Sequence, residues 1–245
     1  MSGTGDTLIG PTTSTFDLYD FFSMLLPGAA LLLGLMPFIP QSLPMGTFET
    51  LFVLLAGGYI LGRGIHSAAE SVDGIRGTDS HRDVFGKLMR DESSSDISQE
   101  TVGAYYEAAR EQFDHIDWPR DRQDLSTEQV TMLYVHTRAL IHRDGNGRSR
   151  TFQAIYAFYR SITLVVVTLI GFYVLYAFGE SFSYWDTIFT FETYVGVLDL
   201  PPLSFLLVSE IVLALTVITF HDAKYDYREY FIQYLFADFL ILTSD

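Results

Sequence analysis

The chain has no cysteine. That excludes disulfides, thiolate zinc sites, iron–sulfur clusters and cysteine nucleophiles together. Lysine is nearly missing as well: Lys87 and Lys224 are the only two, and the other 13 basic residues are arginines. Residues 1–62 and 161–223 carry no Lys or Arg at all. Residues 1–15 therefore offer no basic n-region, and no small-x-small cleavage pattern follows the first apolar stretch, so a cleaved signal peptide is not expected. Acids outnumber bases 30 to 15, a net charge of -15, which argues against nucleic acid as a partner, since a phosphate backbone asks for a basic face. Aspartate (19) exceeds glutamate (11). This Asp-rich, Lys-poor balance resembles that of a halophilic prokaryotic protein kept soluble in concentrated salt, the alternative being an ordinary acidic protein.

What the chain does have is long apolar stretches. Residues 21–39 and 161–179 are each 19 residues without a charge, and residues 200–220 hold one ionisable group, Glu210. A shorter apolar stretch, 48–62, opens after Glu49 is passed and closes at Arg63. About 20 apolar helical residues cross the hydrocarbon core of a bilayer, and helices are the form that satisfies its own backbone there. Four spans with the N-terminus inside place residues 63–160 and the tail in the cytoplasm. All 15 basic residues lie in those two stretches, 13 in the first and Lys224 and Arg228 in the second, in keeping with the positive-inside bias. The outer loops, about 40–47 and 180–199, carry only acids (Glu180, Asp186, Glu192 and Asp199).

The expected fold class is all-α: a polytopic membrane protein of four transmembrane helices, with a helical cytoplasmic domain inserted between spans two and three. The expected divisions are a disordered 1–16, spans one and two in 17–66, the cytoplasmic domain in 67–150, spans three and four in 151–221, and an amphipathic C-terminal helix in 222–245. Helical stripes run through Val84, Phe85, Leu88 and Met89, through Val102, Tyr105, Tyr106, Ala109 and Phe113 behind Ser98, and through Val130, Leu133, Tyr134, Leu140 and Ile141. Ser126 and Gln129 have capping-box spacing before the third stripe. Asp91–Asp96, Trp118-Pro119 and Asp144–Gly147 read as loops. From Arg148 the helical pattern of Phe152, Ile155, Tyr156 and Tyr159 meets no breaker before span three, and span two is expected to extend likewise through Ile65, Ala68 and Ala69. In the tail, Tyr227, Phe231, Tyr234, Leu235, Phe239 and Leu242 share a face. Packing on the cytoplasmic domain is favoured over lying on the membrane, because Asp222, Asp226, Glu229 and Asp238 would be repelled by anionic headgroups.

The candidate sites are few. Glu210 sits about 10 Å inside its span, so it is expected to face the bundle, with Tyr173 at similar depth as a possible donor. It reads either as a proton- or ion-sensitive site or as a packing residue. Pro27-Gly28 lets span one bend. Ala30 and Gly34, and Gly58 and Gly62, have the small-xxx-small spacing of close helix contact, within one chain or along a homo-oligomer seam. His66 and Glu70 share a face but lack a third metal ligand, and His136 and His142 point to different helix faces. The Asp144-Gly-Asn-Gly-Arg run departs from a calcium loop at Arg148. No metal or cofactor site is expected.

Three stretches, Phe16-Asp-Leu-Tyr-Asp-Phe-Phe-Ser-Met-Leu-Leu-Pro-Gly28, Arg148-Ser-Arg-Thr-Phe-Gln-Ala-Ile-Tyr-Ala-Phe-Tyr-Arg160 and the aromatic-basic run 225–234, resemble a loose group of small, mostly uncharacterised prokaryotic (haloarchaeal-like) four-span membrane proteins. Some of that group occur in antiviral defence modules beside a soluble partner. The resemblance implies a role and no catalytic residue. The expected function is a non-enzymatic membrane sensor or scaffold that couples the bilayer to a soluble cytoplasmic protein in a defence or stress module. The alternative is a small oligomeric channel or permeability effector. An intramembrane enzyme comes third, since no catalytic cluster is visible.

Overall fold

A computed structural model of the chain describes residues 18–38, 46–75, 77–92, 97–144, 147–181 and 202–244, which form helices and no strand. The expectations for 1–16, for the outer loops 40–47 and 180–199, for Asp91–Asp96 and for Asp144–Gly147 lie wholly or partly outside these residues. Helix α1 covers 18–38. It begins at Leu18–Asp20, widens into a π turn at Phe21–Leu25, continues over Leu26–Leu35 and closes as a 3-10 turn at Met36–Phe38. Pro27 accounts for the widening. Its ring would crowd the Ser23 carbonyl in a regular turn, and instead the Leu26 N–H reaches back to the Phe21 carbonyl. The helices that follow are α2 (Thr47–Ile75), α3 (His81–Met89), α4 (Gln99–Gln112), α5 (Thr127–Asp144), α6 (Ser149–Ser181) and α7 (Pro202–Thr243).

Three of these, over Thr47–Ile75, Ser149–Gly179 and Leu206–Thr243, are long and apolar enough to cross a membrane, while Phe21–Leu35 is a shorter apolar helix. The sequence ranks the second stretch shortest, whereas in the structure the first is the shorter apolar helix. α2 runs on through the polar residues 63–75 because only isolated glycines interrupt them, and it stops in a left-handed turn at Gly77 (φ 64°) with Thr78 N–H on the Asp73 carbonyl. α1 loses its regular geometry at Pro37. The division drawn at 221/222 falls inside α7, which contains no Gly or Pro after Pro202.

The helices build two cores. The first is apolar throughout: Ile162, Val165, Val166, Leu169, Tyr173 and Tyr176 of α6 pack on Leu206 of α7 and Phe38 of α1. The second gathers α3, α4 and α5 around the far half of α7. Phe85, Tyr105, Leu133, Ile141, Phe236 and Phe239 are at most 1% exposed there, and Phe113 and Leu140 join them. The tail is thus one wall of this core: the Phe236 ring lies 4.5 Å and the Phe239 ring 5.0 Å from Tyr105. Local signals fix the short helices. Ser98 caps α4 and the Ser126/Gln129 box caps α5. A further box, Ser80 with Asp83, opens α3. The start of α6 is capped by tertiary structure, with Ser149 N–H donating to buried Asp238 of α7 at 2.8 Å.

α1 and α2 touch backbone to backbone. A Cβ on Gly28 would overlap the Gly58 carbonyl oxygen, and one on Gly62 would overlap the carbonyl oxygen of Met24. Backbone cannot swing aside as a side chain can, so Gly62→Ala should force the two helices apart and lower the thermal midpoint of the detergent-solubilised protein. Gly64→Ala, with nothing within 4 Å, should leave it unchanged or raise stability by up to about 1 kcal/mol through helix propensity. Equal effects of the two substitutions would contradict the close contact.

Candidate functional site

Polar side chains collect between the two cores. Helical spacing aims them: His66 and Asp73 share a face of α2, Arg138 and His142 of α5, Tyr156 and Arg160 of α6, and Lys224 and Arg228 of α7. Lys224 meets Asp73 at 3.0 Å, with side chains 6% and 15% exposed, which ties α7 to α2. Arg228 donates to the Asp79 carbonyl at 2.9 Å, just before α3. The His66 Nε2 accepts from Arg160 at 3.2 Å and faces the Tyr19 hydroxyl at 3.4 Å, while its Nδ1 faces Ser161 Oγ at 3.5 Å. A guanidinium always donates, so His66 is here a neutral acceptor.

His81, the first residue of α3, has its ring 4.3 Å from Tyr156 and 4.5 Å from Phe231. Burial drives its pKa down to about 3, and the nearby charges of Arg138, Arg160 and Arg228 push the same way. Its Nε2 and the Nε atoms of Arg138, Arg160 and Arg228 are buried without a hydrogen-bond partner. Among the described residues no carboxylate pairs with Arg138 or Arg160. Burial first, then the charge of Arg138, lowers the His142 pKa as well.

The residues singled out in the sequence are placed as follows. The Tyr173 hydroxyl donates to the Gly34 carbonyl at 2.6 Å, so its proton goes to α1 and not to Glu210. Glu210 keeps one carboxyl oxygen buried without a partner. Gly58 and Gly62 face Gly28, Ala29 and Met24, Gly34 faces Leu169 of α6, and Ala30 packs at the edge of the first core. All of these contacts lie within the chain. Glu70 is exposed, and no group of three His, Asp or Glu among the described residues is placed to hold a metal. Ser161 beside His66 resembles half of a nucleophile–base pair. But Ser161 is 0% exposed, and the other ring nitrogen meets a guanidinium where such a pair needs a carboxylate. Sequence reasoning missed Asp73–Lys224 and the His81 cluster. The available signal was that Lys224, one of two lysines, follows directly on a stretch without bases.

The His81 environment sets a pH dependence. Its folded pKa, about 3, lies below the ordinary 6.5, so between these values the unfolded chain binds a proton that the folded chain refuses. Stability should therefore fall as pH drops from about 6.5 toward 3, by about 1.4 kcal/mol per unit. Thermal midpoints across this range should show a shallower decline for His81→Phe, which keeps the ring contacts, and an identical decline would place the titration elsewhere. Comparison of the chain with protein families, with curated proteins and with solved structures returned no match.

Proposed function

We propose that the chain is a four-span membrane protein with both ends and residues 67–150 in the cytoplasm, and that it couples the bilayer to a soluble cytoplasmic partner without catalysing a reaction. The observation that carries this reading is that α7 lines both cores without a break, with α6 beside it from the first core to Phe152 at the edge of the second. A shift or tilt of the apolar halves therefore moves walls of the second core. α1 supports the fourth crossing, since residues 18–38 rise about 31 Å at about 1.5 Å each, the thickness of a hydrocarbon core. The distribution of basic residues supports the orientation. The sequence resemblance adds a defence or stress setting with a soluble partner. A small oligomeric channel is the second reading, favoured by the partnerless carboxyl oxygen of Glu210. Ion flux from liposomes that Glu210→Gln abolishes would select it.

Because the chain has no cysteine, single introduced thiols report orientation without background. Thr47→Cys and Ser204→Cys should react with an impermeant reagent in whole cells. Asp114→Cys and Ser244→Cys should react only after lysis. Labelling of Asp114→Cys from outside would overturn the orientation.

Coupling has its own readout. Spin labels at Ser71→Cys and Asp114→Cys, in bilayers of short-chain and then long-chain phosphatidylcholine, should give different distance distributions. Superimposable distributions would reduce the apolar helices to a passive anchor.

A further inference from the structure

The first residues of α1, the end of α5 and the start of α6 flank an open cleft of about 360 Å³, lined by Tyr19, Asp20, Arg138, His142, Arg150 and Gln153. That volume lies in the range of small-ligand sites, about 300–1,000 Å³. Among the described residues two guanidinium groups and one carboxylate line it. Arg138 is partly buried, its Nε has no acceptor, and its hydrogen bond to Gln153 Oε1 is long at 3.4 Å. Its guanidinium also lies over the Tyr134 ring, 5.5 Å from the centroid. Asp20, the only carboxylate among the described lining residues, does not pair with it. A half-buried cation without a counter-charge is costly, and an anion entering from outside relieves that cost.

We propose that this cleft binds a phosphate-type anion, with the Arg138 guanidinium as its principal contact. A guanidinium offers paired N–H groups that match two phosphate oxygens. Arg150, the Tyr19 hydroxyl and the Gln153 amide stand around the same cleft as further donors. The mouth lies at Tyr19 and Asp20, immediately before the uncharged stretch of α1 that starts at Phe21. In the four-span arrangement this is the depth of the inner-leaflet headgroups, where basic pockets between helices take anionic lipids. The lipid source rests on that arrangement, whereas anion binding itself does not.

The test uses the full-length protein in two settings. In neutral detergent, inorganic phosphate is titrated against chloride at equal ionic strength, with the thermal midpoint as readout. In nanodiscs, phosphatidylglycerol replaces phosphatidylcholine stepwise. The wild type should be stabilised in at least one setting, and a response to phosphatidylglycerol alone assigns the anion to a lipid headgroup, a response to phosphate alone to a soluble anion. Arg138→Gln should weaken the response roughly tenfold or more, Asp20→Asn should strengthen it, and Arg120→Gln, exposed and distant from the cleft, should not alter it. No stabilisation in either setting, or a wild-type response from Arg138→Gln, would overturn the site. If Arg138→Gln fails to fold, Asp20→Asn decides: an unchanged phosphate affinity also overturns it. Phosphate binding in detergent together with outward labelling of Asp114→Cys would keep the site and remove the orientation.

Discussion

Everything in this structure depends on α6 and α7 staying helical and side by side while their surroundings change. At one end their facing residues are aliphatic, with Val165 and Leu169 of α6 buried and Leu206, Leu213 and Val217 of α7 packed with them. At the other they meet through rings: Tyr159 stacks on Tyr227 at 5.2 Å, and Phe152 on Tyr234 at 4.5 Å. Broad aromatic faces leave little room for one helix to slide past the other, so the pair moves as a unit. The backbone allows this because nothing after Pro202 in α7 breaks a helix. Helical hydrogen bonds are internal to each segment and are satisfied equally well in lipid and in water.

Only side chains therefore have to deal with the change of surroundings, and they do so in a narrow band. Leucine and valine give way to His66, Asp73, Arg160, Lys224 and Arg228 within a few turns of three helices. The Asp73–Lys224 pair fixes α2 against α7 at this level. A buried ion pair contributes little net stability, because desolvation offsets most of the attraction. Its consequence is positional: any other register of α2 on α7 would leave both charges unpaired. The Gly28–Gly58–Gly62 contact sets α1 on α2 in the same way, by backbone shape. Together they hold α1 and α2 to the α6–α7 pair.

The parts legible in the sequence are those set by neighbours a few residues apart. The three stripes of the second core, the Ser98 cap, the Ser126/Gln129 box and the continuity of α6 past Arg148 all follow from periods of three and four. The face of the tail is legible too, because large apolar residues at those periods have to be covered. What depends on residues far apart in sequence is not legible. Asp238, read in the sequence only as an acid that anionic headgroups would repel, caps a helix 89 positions away in sequence. Gly58 and Gly62 have contact spacing, but no pattern says that Gly28 and Met24 would meet them where Ala30 and Gly34 share the same spacing. The continuation of α2 past Arg63 is legible through Ile65, Ala68 and Ala69, but its end at Ile75 is not. Hydropathy marks where a helix leaves an apolar environment, not where it ends.

The placement of the arginines needs an explanation beyond orientation. A positive-inside bias is met by any base near the end of a span, and exposed residues such as Arg120 and Arg143 cost nothing to keep there. Arg138 and Arg160 are instead half-buried, with Nε atoms lacking partners. This chain has twice as many acids as bases, and the same domain spends carboxylates freely, with Glu107, Glu111, Asp114 and Asp117 around Trp118. Moving one carboxylate into the band would neutralise it, as Asp73 does for Lys224. Leaving it cationic adds to the burial that keeps His81 neutral and keeps donors facing the cleft beside α1. Threading alone is served by exposed arginines, whereas half-buried ones without a paired carboxylate suit the anion site proposed for that cleft.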